Sequence, residues 1–454
     1  MRERALRCGR QVLRFGGERR RSGLVAVGTA MALLLGVAPR PSSAVTCAVD
    51  AVPAATLLLP YFEVDLGNPN GLTTLFSINN GTASAILAHA VVWSDLSVPV
   101  MSFDVYLTGY DVQTINLRDI IVFGNLPQTA SLGQQDESGT ISPKGKLSQS
   151  INFASCQNVL PPKPVLPELL QGLQLALTGK ASPMLQNQCA GQDLGDNIAR
   201  GYVTVDTVRN CTMRVPGDAG YFGADSTNDV TDQNVLWGNW YIVDVPQSYI
   251  LGSTMVGIEA DASNPATSTP GRYTFYGRYD GWSAVDHREP LASSFAAQYF
   301  SADPGAGLFE AGTKLIVWRD PKGAQQPFPC PAGANVQPQW YPLGMEGLVI
   351  FDEAENPAVA QTVPFCPQPP TSGTIPFPAA TQAVFVGGVS LPTPFQFGWM
   401  YVNLNVSAVY NPAPPIDTKA AQAYVISAHL ANGHAVAVDA YRLDSSCNTG
   451  HFVP

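Results

Sequence analysis

The seven residues Met101–Leu107, MSFDVYL, alternate between apolar and polar side chains. Successive side chains of a β-strand point to opposite faces, so this pattern predicts a strand with Phe103 toward a core and Asp104 toward solvent. Gly109-Tyr110 interrupts the alternation and residues 111–117, DVQTINL, resume it. Glycine suits a turn, so the two runs predict a hairpin.

Similar runs lie on both sides of this stretch. Leu72–Asn79 (LTTLFSIN) and Ile86–Trp93 (ILAHAVVW) flank a polar segment that begins Asn80-Gly81, a strong hairpin signal. Later strands are predicted at Gly201–Val208, Leu236–Val243, Met255–Ala260, Tyr273–Tyr279, Lys314–Arg319, Gly347–Phe351, Ala383–Val389, Phe397–Val406, Ala423–Leu430 and Ala435–Leu443. We therefore predict an all-β protein made of antiparallel β-sandwich units with long loops and one short helix.

The short helix is predicted over Pro167–Thr178, PELLQGLQLALT. Proline suits the first helical turn, the leucines fall on one face, and Gly179 can end the helix. Such a helix could serve an interaction, or it could cover a sheet edge. The predicted organisation is an N-terminal β-sandwich at 45–150, a loop and helix insertion at 151–189, and a second β-rich sandwich-like domain at 190–454.

The first 44 residues have the features of a secretory signal peptide. They begin with an arginine-rich region, continue with the apolar run Gly23–Ala38, and end in the small residues Ser42-Ser43-Ala44. This apolar run is short for a membrane span. We expect a secreted protein, released or held at the outer cell surface, with no membrane span after the signal is removed.

The charge of the remaining chain is strongly negative. Of 25 basic and 35 acidic residues, nine basic and two acidic lie in residues 1–44, which leaves a net charge of −17. This balance disfavours nucleic acid and anionic membranes as partners. A polysaccharide or a surface protein remains a candidate partner.

Seven cysteines follow the predicted signal peptide, and export favours disulfide bonds. None forms a CxxC motif, so a zinc site is disfavoured. Sequence spacing leaves the connectivity open, with Cys330–Cys366, Cys156–Cys189 and Cys47–Cys447 as the favoured pairs.

Several phrases support a resemblance to a known family. They are LLLPYFEVDL (57–66), GLTTLFSINN (71–80), DLSVPV (95–100), YLTGYDVQTINLRD (106–119), VLWGNWYIVD (235–244), TFYGRYD (274–280), DHREPL (286–291) and FDEAENP (351–357). The chain resembles a family of uncharacterised secreted bacterial proteins in which similar phrases recur in this order. The resemblance implies export and transfers no activity, cofactor or site residue.

Two groups of charged residues are candidate sites. Asp225, Asp229 and Asp232 offer clustered oxygen ligands for Ca²⁺, although such residues also occur in turns without a metal. No other cofactor is predicted. The second group is Asp286, His287, Arg288 and Glu289, which could line a ligand-binding pocket or supply acid–base chemistry, or could form an ion-paired loop.

Carboxylates of the kind that glycosidases use occur at Glu63 and Asp65 and at Asp352–Glu355. No GxSxG, HExxH or P-loop motif is present.

Aromatic residues in loop-like segments are the better hint of a ligand. Trp282, Trp340 and Tyr341 lie in such segments, and the phrase LWGNWY holds Trp237, Trp240 and Tyr241. Aromatic faces suit sugar rings or protein partners, and core packing is the alternative. The leading hypothesis is a non-catalytic binding or structural protein. A polysaccharide hydrolase that uses paired carboxylates and a calcium-stabilised surface component are the alternatives.

Overall fold

The computed structural model describes residues 52–128, 153–223, 227–271, 274–281, 283–301, 312–320, 326–330, 348–358, 379–388, 391–404, 422–431 and 434–443. The predicted signal peptide lies outside these ranges. The described residues are mostly strand, which confirms the all-β prediction.

The described strands are β1 Thr56–Asp65, β2 Thr73–Asn80, β3 Ile86–Ser94, β4 Pro99–Leu107, β5 Val112–Asn116, β6 Ile198–Val208, β7 Leu236–Trp237, β8 Asn239–Asp244, β9 Tyr249–Thr254, β10 Val256–Ile258, β11 Ser294–Phe300, β12 Gly312–Arg319, β13 Leu348–Asp352, β14 Pro357–Ala358, β15 Thr381–Phe385, β16 Phe397–Asn403, β17 Ala423–Ala431, β18 His434–Asp439 and β19 Tyr441–Arg442. The described helices are α1 Leu117–Ile121, α2 Pro167–Leu177 and α3 Pro265–Ser268, with single 3₁₀ turns at Ala154–Cys156 and Pro183–Leu185.

These strands form four antiparallel sheets. Sheet I has the order β10-β1-β6-β3-β4, and sheet II has the order β5-β2-β8-β9 with β7 also paired to β2. Sheet III has the order β15-β12-β17-β18, and sheet IV has the order β14-β13-β16-β11-β19.

Strand β1 is buried along nearly its whole length. It pairs with β10 and β6 in sheet I, and it contacts β2 and β8 of sheet II as well as β12 and β15 of sheet III. A strand covered on both faces is a nearly continuous apolar run rather than an alternating one, as in TLLLPYF. Its register with β6 shifts between Leu59 and Phe62, where Pro60 has no N–H to donate.

Sheet III also lies between two cores. On β12, Leu315 and Val317 belong to the core that sheet III shares with sheet IV. Ile316 and Trp318 belong to the core that contains the inner residues of sheets I and II. Successive side chains of β12 therefore pack into two different cores. All of β12 except Lys314 is buried.

The second half of the polar face of β4 is buried, which corrects one expectation. Asp104 and Tyr106 were predicted to face solvent, and both are buried. Tyr106 packs in a separate small core with Cys156, Leu160 and Tyr221, so a layer from distant parts of the chain covers this face.

The predicted strand Tyr273–Tyr279 is wrong for its described part. Residues 274–279 form turns in which Gly277 N donates to Thr274 O and Tyr279 N donates to Tyr276 O. Phe275 and Tyr276 are both buried, so this segment packs inward as a coil rather than as half of a sheet.

Strands from the two predicted sandwich units share their sheets. Sheet I joins β1, β3 and β4 from 45–150 with β6 and β10 from 190–454, and sheet II joins β2 and β5 with β8 and β9. Helix α2 matches the predicted helix, and it contacts β4, the edge strand of sheet I, and β6. Among the described helices, none combines the length and apolarity that a membrane crossing needs.

Two disulfides are formed among the described residues, Cys156–Cys211 and Cys189–Cys330. The favoured pairs Cys156–Cys189 and Cys330–Cys366 are therefore wrong. The sheets decide the pairing, because Cys189 forms a β-bridge with Phe328, two residues before Cys330, and Cys211 lies three residues after the end of β6. The candidates Cys47, Cys366 and Cys447 lie outside the described residues.

Asp95 joins three parts of the fold at the turn between β3 and β4. Its carboxylate accepts a hydrogen bond from Gln192 N at 3.1 Å, and its carbonyl oxygen accepts from Ala380 N and Thr381 N beside β15. Burial raises the pKa of Asp95 to about 7.

The substitution Asp95→Asn tests this buried carboxyl group. A folded pKa above the unfolded one favours folding at low pH, so the wild type loses stability from about pH 4 to pH 7. The amide of the variant keeps an acceptor for Gln192 N and does not titrate. We expect urea unfolding to give similar stabilities at about pH 4 and a more stable variant at about pH 8. If the stability difference between the wild type and the variant were the same at both pH values, the raised pKa of Asp95 would be contradicted.

The position of sheet III between two cores predicts matched losses of stability. Leu315→Ala and Ile316→Ala alter opposite faces of β12, and each should cost about 2–5 kcal/mol in chemical denaturation. The control is Val438→Ala on the exposed face of β18, which should change stability by less than about 1 kcal/mol. If either β12 variant matched the control, one face of sheet III would not be a core.

Candidate functional site

The outer face of sheet II forms an open cleft of about 550 Å³. On β2, Phe76 and Ile78 point into the main core. The alternate residues Leu75, Ser77 and Asn79 line the cleft. The same period of two that builds the core therefore builds the floor of the cleft.

Two aromatic side chains line one side of the cleft. Trp237 on β7 and Tyr241 on β8 are each 43% exposed, whereas Trp240 is fully buried in the core. Trp237 pairs with Asn79, and Tyr241 pairs with Leu75. The two aromatics are four residue steps apart in extended chain, which corresponds to about 13 Å along the strand.

Glycine at position 252 makes room for the Tyr241 ring. Gly252 on β9 is the cross-strand partner of Tyr241. A Cβ atom on Gly252 would lie 2.3 Å from Cδ1 of Tyr241, closer than real contacts allow. The ring therefore lies across the backbone of β9, and its position depends on this glycine.

The opposite side of the cleft comes from β5 and α1 and combines the apolar Val112 and Ile115 with the polar Thr114, Asn116 and Asp119. Asn116 accepts hydrogen bonds from Arg118 N at 3.1 Å and from Thr73 Oγ1 at 2.9 Å, so its carbonyl oxygen already has partners. Asp119 is the one formally charged side chain among the described residues that line the cleft.

Asn79 has an unsatisfied polar atom at the cleft. The residue is 2% exposed, and its Oδ1 has no hydrogen-bond donor in the part of the chain that the structure describes. Buried polar groups normally have partners, and an unsatisfied one costs about 1–3 kcal/mol. Asn79 is among the residues that line the cleft, so a ligand that displaces the groups covering its Oδ1 could supply the missing donor.

The candidate residues Asp286 and Arg288 lie in the interior rather than in a pocket. Arg288 Nη1 lies 3.4 Å from Asp286 Oδ1, Nη2 donates to Thr231 O, and Nε donates to Thr56 Oγ1. Burial raises the pKa of Asp286 to about 6. These two residues therefore form an ion pair in the interior, which is the alternative considered for this cluster.

Asp206 on β6 is the second carboxylate that faces Arg288, with 3.5 Å between Oδ1 and Nε. It accepts hydrogen bonds from Tyr221 Oη at 2.6 Å and Tyr276 Oη at 3.0 Å, and from Thr56 Oγ1. The inward-packed segment around Tyr276 is thus tied to sheet I through one buried carboxylate.

The same polar row continues across sheet I. His89 on β3 pairs in register with Asp206 on one side and with Asp104 on the other. His89 Nδ1 lies 2.7 Å from Asp104 Oδ1, and both residues are buried. His89 is therefore a core histidine with one hydrogen-bond partner among the described residues.

The other two members of the charged cluster have partners of their own. His287 Nδ1 lies 2.6 Å from Asp232 Oδ2, and this hydrogen bond raises the pKa of His287. Burial, with the nearby Glu259 carboxylate, raises the pKa of Glu289 to about 7. The four candidates therefore divide between the interior and the surface.

The proposed calcium ligands do not converge among the described residues. Asp229 accepts hydrogen bonds from Thr212 Oγ1 and Arg214 Nη1, whereas Asp232 faces His287. No group of three His, Cys, Asp or Glu residues in the described ranges is placed to hold a metal ion. Asp225 lies outside those ranges.

The carboxylates considered for glycoside hydrolysis have local roles. Glu63 accepts from Tyr61 Oη at 2.7 Å and lies 3.4 Å from Lys314 Nζ. Asp65 accepts from Gly67 N at the start of a turn, and Asp352 accepts from Ala354 N in another.

The aromatic candidates Trp282, Trp340 and Tyr341 lie outside the described residues. The phrase LWGNWY did contain the two exposed aromatics of the cleft. Asn79 was missed, because nothing in its sequence neighbourhood distinguishes it from a turn asparagine.

No protein-family model, curated protein or solved structure matches this chain. The resemblance to secreted bacterial proteins stays a prediction.

Removal of the Asp206 charge tests the buried network. Asp206→Asn leaves the guanidinium of Arg288 with less compensation, and breaking a buried pair costs about 3–5 kcal/mol. Chemical denaturation should show this loss relative to Asp193→Asn, an exposed control that should change stability by less than about 1 kcal/mol. Equal stability of the two variants would contradict a structural role for Asp206.

Proposed function

We propose that this chain is an exported, non-catalytic protein that binds a polysaccharide on the open face of sheet II. The observation that carries the proposal is the exposure of Trp237 and Tyr241 on one side of a single cleft. Large aromatic rings that keep access to solvent are suited to ligand contact.

The cleft has the chemistry that a sugar chain needs. Aromatic faces cover the C–H faces of sugar rings, and the amide and hydroxyl side chains of Asn79, Asn116 and Thr114 can bond ring hydroxyls. The described lining residues other than Asp119 lie on paired strands, so little backbone entropy is lost when a ligand binds. The distance between Trp237 and Tyr241 suits an extended chain rather than a single sugar.

Export is supported by independent features. The arginine-rich and apolar N-terminal segment is typical of a signal peptide, and two disulfides fit an oxidising compartment. The acidic composition suits a neutral polymer better than nucleic acid.

A hydrolytic role is less well supported. Glycosidases use two carboxyl groups that flank the bond to be cleaved. The described lining of the cleft has one, Asp119, and Asp286 is engaged with Arg288 in the interior. A binding role needs no second carboxylate.

Alanine substitutions of the two aromatics test the proposed function. Purified protein is incubated with insoluble polysaccharides and bacterial envelopes, and the pelleted protein and the reducing sugar released are measured. Trp237→Ala and Tyr241→Ala should each weaken pelleting about tenfold, because a lost aromatic contact costs about 1–2 kcal/mol. Tyr441→Ala is the control, since Tyr441 is 68% exposed on sheet IV, outside the cleft.

The outcomes separate the candidate functions. Pelleting without sugar release, lost in the two cleft variants, supports a binding protein. Release of sugar would favour the hydrolase. Retention on beads that carry an unfolded polypeptide, and on no polysaccharide, would instead indicate strand pairing at the edge strand β5.

A further inference from the structure

We infer that the cleft selects neutral glycans and that Asn79 recognises the sugar by accepting a hydrogen bond from a ligand hydroxyl group. This inference rests on the function proposed above and names the class of polysaccharide and the residue that discriminates it.

Strand pairing fixes the position of Asn79 at the cleft. This residue lies in the middle of three strands, with Val112 of β5 on one side and Trp237 of β7 on the other. Paired strands hold its backbone, so the carboxamide stays at the cleft whether or not it has a partner there.

The neighbouring residue, Asn80, differs from Asn79 in its hydrogen bonds. Asn80 Nδ2 donates to Ser84 O at 2.7 Å and to Thr108 O at 2.8 Å, and its Oδ1 accepts from Thr82 N at 3.0 Å. The Oδ1 atom of Asn79 has no such donor in the described residues. The Oδ1 atom of Asn228 is also buried without a donor there, but Asn228 does not line the cleft. Asn79 therefore combines an unpaired amide oxygen with a position where a ligand could bind.

A sugar hydroxyl group is the ligand group that suits the carbonyl oxygen of Asn79. An unsatisfied carbonyl oxygen needs a donor, and sugar hydroxyl groups are donors. Because Trp237 is the cross-strand neighbour of Asn79, a sugar ring stacked on that indole presents its rim of hydroxyl groups toward the carboxamide. Loss of such a bond leaves a buried acceptor unpaired, which is the condition under which a site discriminates most strongly.

The charge of the cleft disfavours anionic polymers. Asp119 is the formally charged side chain in the described lining, which includes no lysine, arginine or histidine. The sequence as a whole has a net charge of −10. A polymer of uronic acids would therefore meet a carboxylate without a compensating cation, and like charges at about 4 Å repel by about 1 kcal/mol even in water.

Two substitutions of Asn79 separate recognition from structure. Asn79→Leu removes the acceptor with little change in size, and Asn79→Asp keeps an acceptor and adds a charge. We expect Asn79→Leu to bind at least tenfold more weakly while its melting temperature stays equal or rises, because an unpaired buried polar group is removed. Asn80→Leu is the contrast, since loss of several hydrogen bonds should lower the melting temperature.

The experiment is affinity electrophoresis of the full chain in gels that contain β-glucan or galactomannan as neutral probes, or alginate or polygalacturonate as anionic probes. Retardation by at least one neutral polymer, no retardation by the anionic ones, and loss of retardation in Asn79→Leu are the expected results. Asn79→Asp should keep part of the retardation by the neutral polymer.

Each of the other outcomes would contradict one part of the proposal. Retardation by the anionic polymers as strong as by the neutral ones would refute the selection by charge and leave the proposed function intact. Neutral binding that Asn79→Leu leaves unchanged, or a melting temperature of Asn79→Leu lowered as far as that of Asn80→Leu, would refute the role of Asn79. No retardation by any polymer would refute the proposed function, and this inference with it.

Discussion

Strand β1 has almost no contact with solvent, so each polar group on it must find a partner inside the protein. Thr56 donates to Asp206 and accepts from Arg288, and Glu63 is bonded by Tyr61 and faces Lys314. Most of these partners come from sequence positions far from β1. The polar groups of this one buried strand therefore bond to residues of sheets I and III and of the segment that carries Arg288. These bonds connect the three parts of the fold.

This arrangement also decides where a ligand can bind. Sheet I is covered on both faces along β1 and β3, and sheet III lies between two cores along β12. Sheet II packs one face against the main core and leaves the other open, and that open face carries Trp237, Tyr241 and the unsatisfied Asn79. The buried polar network supports the fold, whereas the exposed aromatic face is available to a ligand. The two sets of residues therefore have different physical roles.

Local patterns predicted most strands, because period-two alternation is a property of a few neighbouring residues. The two predicted hairpins are wrong, because β4 and β3 belong to sheet I whereas β5 and β2 belong to sheet II. The run MSFDVYL is β4, yet its polar face was wrongly predicted to be solvated, since the layer with Tyr221 that covers it comes from more than a hundred residues later. The same limit applies to the disulfides, whose pairs follow long-range sheet pairing. In the cleft, alternation in LWGNWY separates Trp240 from Trp237 and Tyr241. Asn79 could not be predicted from the sequence, because its surroundings are formed by β5 and β7, which are distant in the sequence.

Hydroxyl-radical footprinting with mass spectrometry tests the central claim, binding on the open face of sheet II, most directly. The full chain is oxidised with and without a saturating soluble polysaccharide that retards it in gels. The account predicts that the ligand lowers oxidation of Trp237 and Tyr241 and leaves Tyr441, which is exposed on sheet IV, unchanged. Unchanged oxidation of both cleft residues in the presence of a bound polysaccharide would contradict it and place the binding site elsewhere.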